Sequence, residues 1–270
     1  MLAPATGLAR TYRQLGKPPG PMPSFAEQQL RHLTPDAIDF CASDLEAYAD
    51  GDTVGSWAAR RGGLTASATS TPAYAVPDQT MRVPSVTYAS TGERHVAGAV
   101  DWSTSNTATL LTVWYSDANT ANAGIASLHA NASAAPAVGG GIEHLLGASS
   151  GYWTALHYPD GAGSFFLERD QIDDTGALQV TVSVHDTDAA LEADEIRGYQ
   201  NGVEIIGSTT GTSGTGNAWQ STLYPVLGAR GTSPMESLDG RLHRFIAMPS
   251  ALTNAQALRA SQCLLYTART

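Results

Sequence analysis

The sequence predicts an all-β protein organised as a two-sheet antiparallel sandwich. The clearest observation is Asn201-Gly202, which separates two alternating apolar runs within residues 195–206. This residue pair readily adopts the positive φ values of a type I′ turn, so the segment is predicted to be a β-hairpin. Composition agrees, because 27 glycines and only 15% charged residues suit a loop-rich sandwich better than a helical protein.

A second group of turn signals follows the hairpin. The run "YPVLGAR" predicts a short strand that ends at Gly228. Asp239-Gly240 then leads into "LDGRLHRFIAMP", which predicts a longer strand that stops at a proline. Its alternation places three residues on one face: Leu242, Arg244 and Ile246.

Period-two alternation predicts the other strands. They lie at residues 37–48, 83–89, 94–100, 108–115, 124–130, 152–158, 164–168 and 178–185. Two long stretches, "LTASATSTPAYAVPDQT" and "HANASAAPAVGGG", are interpreted as polar or glycine-rich surface links.

Two helices are expected at the ends of this β region. "SFAEQQLRHL" has the spacing of a short amphipathic helix, and Thr34-Pro35 ends it. Thr253 with Gln256 forms a capping-box pattern, which predicts a C-terminal helix through about Leu265.

The order "GYQNGVEI", "YPVLGAR", "LDGRLHRFIAMPSALTNAQ" resembles the C-terminal half of concanavalin A-like jelly rolls of the laminin G type. "AIDFCASDLEAYADGDTVGSWAARRGG" and "VPSVTYASTGERHV" are similar to segments of the N-terminal half of such domains. The resemblance covers about residues 37–265 and implies a concanavalin A-like jelly-roll domain at 37–270. It says little about function, because one fold hosts many functions.

Residues 1–36 are expected to form a basic, proline-rich arm with the short helix at its end. The first residues lack the apolar core and cleavage site of a signal peptide, which predicts cytoplasmic synthesis without export by that route. No apolar run has membrane-spanning length, so no membrane insertion is expected. "GKPPGPMP" favours extended backbone. A basic arm on an acidic body suggests a tether to another protein, and a disordered tail is the alternative.

The two cysteines, Cys41 and Cys263, lie near the two ends of the predicted domain. Reduced, buried thiols are the default expectation in a chain without a signal peptide, and a disulfide is the alternative. The pair lacks CxxC spacing, which argues against zinc binding.

Acidic residues concentrate between residues 168 and 195. "HDTDAALEADE" could offer carboxylate oxygens to calcium, but the glycine-anchored spacing of a calcium loop is absent and a solvated loop is the preferred interpretation. The acidic surface and scattered cations argue against direct nucleic-acid binding.

The segment "LEADEI" is similar to the catalytic motif of laminarinase-like relatives of this fold, which place three carboxylates as E-x-D-x-E along one strand. Glu192 and Asp194 fit that pattern, but Ile196 occupies the next same-face position. The motif is therefore incomplete, and a non-enzyme is predicted. No serine or histidine has neighbours in the sequence that indicate a hydrolase triad.

Aromatic residues beside planar polar groups indicate saccharide binding, because rings stack on the C–H face of sugars while polar groups satisfy hydroxyls. The predicted carbohydrate-binding residues are Tyr152, Trp153, His157, Tyr158, Asp160, Asp117 and Asn119. Alternation puts Tyr152 and Tyr158 on one strand face and Trp153 and His157 on the other, so one pair belongs to the core. Tyr158 is preferred, since it borders a Pro-Asp-Gly turn. The alternative is that the tryptophans are core and the tyrosines border it.

These observations favour a non-enzymatic attachment or decoration protein of a virion or phage-like particle. Its jelly roll would bind surface polysaccharide, and its arm would contact structural proteins of the particle in a homo-oligomer or multicopy assembly. A purely structural capsid or tail protein without ligand and a polysaccharide hydrolase are the alternatives.

Overall fold

The computed structural model describes residues 24–89, 92–118, 123–130, 141–146, 153–158, 165–168, 176–189, 195–205, 208–211, 219, 222–230 and 237–269. These residues form two antiparallel sheets and two α-helices. The all-β sandwich that the sequence predicts is therefore confirmed.

One sheet has eight strands. Its spatial order is β14 (Val203–Ile205), β13 (Ile196–Gln200), β12 (Gln179–Asp186), β7 (Thr107–Ser116), β17 (Gly240–Met248), β5 (Ser85–Tyr88) and β4 (Ala73–Ala75), and β1 (Ile38–Cys41) also pairs with β17. The other sheet has nine strands, in the order β15 (Ser208–Gly211), β11 (Phe165–Glu168), β10 (Trp153–Tyr158), β9 (Gly141–Leu146), β8 (Gly124–His129), β16 (Tyr224–Leu227), β6 (Arg94–Ala97), β3 (Thr65–Thr69) and β2 (Ser56–Ala58).

The main core lies between the two sheets. Trp57, Trp114 and Phe245 are fully buried there, together with aliphatic side chains from both sheets. A second apolar layer covers the other face of the eight-stranded sheet, where α1 (Phe25–Leu33) and α2 (Asn254–Arg269) pack on β7, β12 and β17. Both helices therefore lie on one side of the sandwich. Neither is long and apolar enough to cross a membrane.

The Asn201-Gly202 hairpin is confirmed. Gln200 pairs with Val203 across a two-residue loop, and the φ angles of Asn201 and Gly202 are 52° and 80°. The amide of Gly202 donates to Ser261 Oγ at 3.0 Å, so the turn is also tied to α2.

The capping box of α2 is confirmed as well. The Thr253 amide donates to Gln256 Oε1 at 2.9 Å, and the Gln256 amide donates to Thr253 Oγ1 at 3.3 Å. The helix continues to Arg269, beyond the expected end at Leu265, because its last turns still bury Ala268 against the sheet.

The interpretation of residues 64–80 as a surface link was wrong, because they contain β3 and β4. β3 consists of small residues, of which only Ala66 is fully buried, and β4 has three residues with Tyr74 alone buried, so the apolar alternation that marks a strand is weak in both. The expected strand at 37–48 is also too long. It ends at Cys41, and a 3₁₀ turn spans Ala42–Leu45.

A β-bulge in β17 overturns the predicted common face of Leu242, Arg244 and Ile246. The register with β7 shifts between Leu242 and Arg244. Leu242 therefore faces the core between the sheets, while Ile246 faces the helices. A one-residue slip exchanges the two faces of a strand, which alternation alone does not reveal.

A buried ionic cluster fastens α1 to the sandwich. Arg244 contacts Glu27 Oε2 and Asp39 Oδ2, each at 2.7 Å, and all three residues are buried. Arg60 and Arg61 add contacts of 3.1 Å to Glu27 and 3.0 Å to Asp39. Burial opposes ionisation of Glu27, but hydrogen bonds and charges from the arginines outweigh it and lower its pKa to about 2. The first turn of α1, which precedes the predicted domain boundary, is thus packed on the body.

Candidate functional site

The predicted carbohydrate-binding residues fall in separate parts of the chain. Tyr152, Asp160 and Asn119 lie outside the described residues, as do Glu192 and Asp194 of the incomplete carboxylate motif. Trp153, His157 and Tyr158 belong to β10, and Asp117 follows β7.

The register of β10 separates its positions into two faces. Trp153 pairs with Leu146 and His157 pairs with Ile142, and both partners belong to the core between the sheets. Paired residues share a face, so the positions of Trp153 and His157 lie on the core side. Tyr158 is one residue out of phase with them, and its position lies on the outer face of the nine-stranded sheet.

Asp117 is not brought together with Tyr158. It is exposed, and burial together with the charge and hydrogen bond of Asp117 raises the pKa of Tyr115. The Arg241 guanidinium lies 5.8 Å from the centre of the Tyr115 ring. Tyr115 is two residues from Val113, which packs in the helix-bearing layer. Asp117 therefore lies at the end of a strand of the eight-stranded sheet, on the opposite side of the sandwich from the position of Tyr158.

The outer face of the nine-stranded sheet carries a polar floor, formed by Ser127, His129, Glu143, Tyr224 and Arg230. Ser127 pairs with Glu143, and His129 pairs with Tyr224, so these four share the face that points away from the core. Ser127, His129 and Glu143 are fully buried, while Tyr224 and Arg230 are half-buried. Tyr158 pairs with Gly141, which also pairs with His129, so its position borders the floor.

An ion pair lies at the centre of the polar floor. Arg230 Nε is 2.7 Å from Glu143 Oε2, and the side chains are 13% and 0% exposed, respectively. Hydrogen bonds between ionised groups are shorter and stronger than neutral ones, so the pair fixes the guanidinium plane. The floor therefore presents oriented polar groups whose outer members reach solvent.

Two glycines shape the floor. A Cβ on Gly124 would lie 1.7 Å from the Arg230 amide nitrogen, so only glycine lets the Arg230 backbone pass so close to β8. A Cβ on Gly141 would lie 2.4 Å from the Leu128 carbonyl oxygen. Gly141 has no side chain, so the outer face of the sheet carries no side chain at the position between His129 and Tyr158.

Sequence reasoning missed most of the polar floor. Residues 129–141 were interpreted as a link, although Gly141 begins β9, and Arg230 was noted only as the end of a strand run. The one local signal is the alternation in "GIEHLL", where Glu143 and His144 point to opposite faces.

His144 belongs to a buried polar network between the sheets. Its Nε2 is 2.6 Å from Ser183 Oγ, and its Nδ1 is 3.0 Å from Thr112 Oγ1. Ser183 Oγ is also 2.7 Å from His185 Nε2. The contact between Ser183 and His144 spans 39 positions of the sequence, so no local pattern predicts it. All four side chains are fully buried, and burial lowers the pKa of His144 to about 3, so the imidazole stays neutral within this network.

Both cysteines are free and buried, so the disulfide alternative is wrong. Cys41 Sγ lies 3.8 Å from His243 Nε2. Burial alone would raise the thiol pKa, but His243 and the nearby arginines lower it to about 7. Cys41 and His243 are only 2% and 4% exposed, so this thiol is closed to substrates in the structure. Within the described ranges, no group of three metal-ligating side chains is placed to hold an ion.

No protein-family model and no curated protein matches the chain. Solved structures do resemble it. The binding domain of Paraclostridial Mosquitocidal Protein 1 has a TM-score of 0.55 at 11% identity, covering 87% of this chain and 53% of its own. Domain 4 of AbnA, a GH43 extracellular arabinanase from Geobacillus stearothermophilus in complex with arabinotriose, has a TM-score of 0.51 at 15% identity, covering 79% and 100%.

The binding domain of botulinum neurotoxin serotype G has a TM-score of 0.51 at 11% identity, covering 85% of this chain and 50% of its own. The chain thus spans about half the length of the two toxin domains. At these identities the likeness concerns the fold alone. The chain has the jelly-roll sandwich fold of the concanavalin A-like class.

Proposed function

We propose that the protein is a non-catalytic attachment module that binds a cell-surface polysaccharide through the outer face of its nine-stranded sheet. The observation that carries the proposal is the polar floor around Glu143 and Arg230, which lies on the side of the sandwich opposite α1 and α2. The arabinanase domain of the same fold is in complex with arabinotriose, which supports a saccharide as the class of ligand.

The outer members of the floor suit a sugar. The buried Glu143 accepts a hydrogen bond from Arg230 and so orients the guanidinium, whose other N–H groups can donate to hydroxyls, and Tyr224 offers a half-buried ring on the same face. The Tyr158 position adds a second aromatic residue at the border. A shallow site buries little surface, so single-site affinity is expected to be weak, and display of many copies supplies avidity.

Catalysis is not part of the proposal. Glycoside hydrolysis ordinarily needs two carboxyl groups about 5–10 Å apart across the scissile bond. Among the described residues of the floor, Glu143 is the one carboxylate, and it is neutralised by Arg230. Release of reducing sugars from a bound polysaccharide would contradict this assignment.

Binding to a glycan array and to purified surface polysaccharide tests the proposal. Tyr158→Ala should abolish binding while leaving the circular dichroism spectrum unchanged, whereas Trp153→Ala should destabilise the fold. Asp117→Ala is the matched control, because Asp117 lies on the other side of the sandwich, and it should bind as the wild type does. Retained binding in Tyr158→Ala would move the ligand elsewhere.

The proposal places the module on a virion or phage-like particle, anchored through residues 1–36. It rests on the basic, proline-rich composition of the arm and the acidic composition of the rest of the chain. Deleting residues 1–23 should leave the sandwich folded and abolish incorporation into the particle, as measured by co-sedimentation. Normal incorporation of the truncated chain would contradict the tether.

A purely structural capsid or tail protein is the second candidate. It is favoured by the complete burial of Ser127, His129 and Glu143, which leaves only the outer members of the floor in contact with solvent. Failure to bind any glycan, with particle incorporation intact, would select this alternative.

A further inference from the structure

A groove runs between α1 and α2 on the helix-bearing side of the sandwich. A cavity of about 310 Å³ is lined by Phe25, Gln29, Cys263 and Tyr266, among others. A second cavity of about 270 Å³ adjoins it along α1 and reaches Leu33. The two share Phe25, Gln29 and Arg259, and Arg259 Nε donates to Gln29 Oε1 at 2.8 Å between the helices. We call the two adjoining cavities the helix groove.

Aromatic side chains stand exposed at the rim of the helix groove. Phe25 is 69% exposed and Tyr266 is 58% exposed. Among the described residues, only Val76 and Val203 are also large, apolar and exposed. Two such rings beside one concave apolar surface indicate a surface that another segment covers.

The sequence of residues 1–23 matches this surface. Leu8, Tyr12 and Leu15 recur at i, i+4 and i+7, the spacing of one helix face. An apolar helix face lying in a hydrophobic groove is a recurrent mode of peptide recognition. Residues 1–23 carry three cations and no acid, and the remainder of the chain has a formal charge of −13, so the net charges attract the segment to the body as a whole.

The proline run decides which copy receives the segment. Four of the six residues at 18–23 are proline, and such a run spans about 19 Å at roughly 3.1 Å per residue. The helix groove begins at Ser24, immediately after that run. To enter its own groove, the segment would have to turn back within residues 16–23, and the extended backbone that the prolines favour opposes such a turn. The groove of a neighbouring copy is therefore the preferred receiver.

We propose that residues 8–15 of one copy pack in the helix groove of a second copy. The exchange links copies of this chain into an assembly and supplies the multiple display that weak saccharide sites require. It goes beyond the proposed function and is independent of it, because it needs neither a ligand nor a particle.

Light scattering measures the molar mass of the purified full chain in solution and so tests whether copies exchange residues 8–15. The arm variant is Leu8→Ser with Tyr12→Ser, and the groove variant is Phe25→Ser with Tyr266→Ser. Wild type should show a mass well above the 28.2 kDa of one chain, and each variant alone should fall to that mass. Val76→Ser, which changes an exposed apolar residue away from the groove, is the matched control and should remain assembled.

Mixing the two variants gives the decisive result. The arm variant retains an intact groove and the groove variant retains an intact arm, so together they should form a heterodimer of about 56 kDa, twice the chain mass. Unchanged circular dichroism spectra check that each variant is folded. A monomeric wild type, assembly that survives both variants, or failure of the mixture to form heterodimers would each overturn the proposal.

Discussion

Replacing Glu27 by glutamine tests the buried ionic cluster that fastens α1 to the sandwich. The folded protein lowers the pKa of Glu27 from 4.5 to about 2, because contacts with Arg244, Arg31 and Arg60 outweigh the cost of burial. A shift of this size corresponds to about 3 kcal/mol of stability at pH 7. Glutamine keeps the volume and one acceptor but removes the charge, so Glu27→Gln should lose about that amount.

The same linkage predicts the pH dependence. A carboxylate whose pKa is lowered by folding contributes stability that is fully present above about pH 4.5 and is lost as the pH falls through about 2. The difference between wild type and Glu27→Gln should therefore shrink from about 3 kcal/mol at pH 7 to about 1 kcal/mol at pH 3.

Urea unfolding followed by tryptophan fluorescence at both pH values measures this difference. Asp44→Asn is the matched control, because Asp44 contacts Arg60 at 2.8 Å but its side chain is 39% exposed. Exposed ion pairs contribute about 1 kcal/mol at most, so the control should lose no more than that at pH 7. A loss of unfolding free energy in Glu27→Gln below about 1 kcal/mol at pH 7, or a loss that is the same at pH 7 and pH 3, would refute the reasoning.

Three further predictions concern the turn, the polar floor and the thiols. Gly202→Val should lower the free energy of unfolding by about 1 kcal/mol or more, because a β-branched residue disfavours the positive φ of 80°. An unchanged thermal midpoint of unfolding would contradict this prediction. Gly124→Ala should displace Arg230 and weaken saccharide binding in titration calorimetry, with unaltered affinity as the contrary result. Denatured, unreduced protein should titrate two thiols, Cys41 and Cys263, with Ellman's reagent, whereas a disulfide would leave none.

Short-range sequence patterns predicted much of the fold. The Asn201-Gly202 turn and the capping box at Thr253 depend on residues within a few positions of one another, so the sequence predicted them correctly. Trp114 lies in the core between the sheets, in agreement with the alternative interpretation of the tryptophans as core residues. Local alternation failed where the pattern was faint or interrupted, as in β3 and at the bulge before Arg244.

The candidate site was decided by the tertiary structure. Arg230 meets Glu143 across 87 positions of the sequence, and Arg244 meets Glu27 across 217. Contacts of that separation depend on strand order and register, which no local pattern encodes. The sequence by itself determined the fold class, the hairpin and the capping box at Thr253, because backbone conformation and alternation are short-range properties. Only the folded sheets decided which charges lie together, because pairing distant strands brings their side chains onto one face.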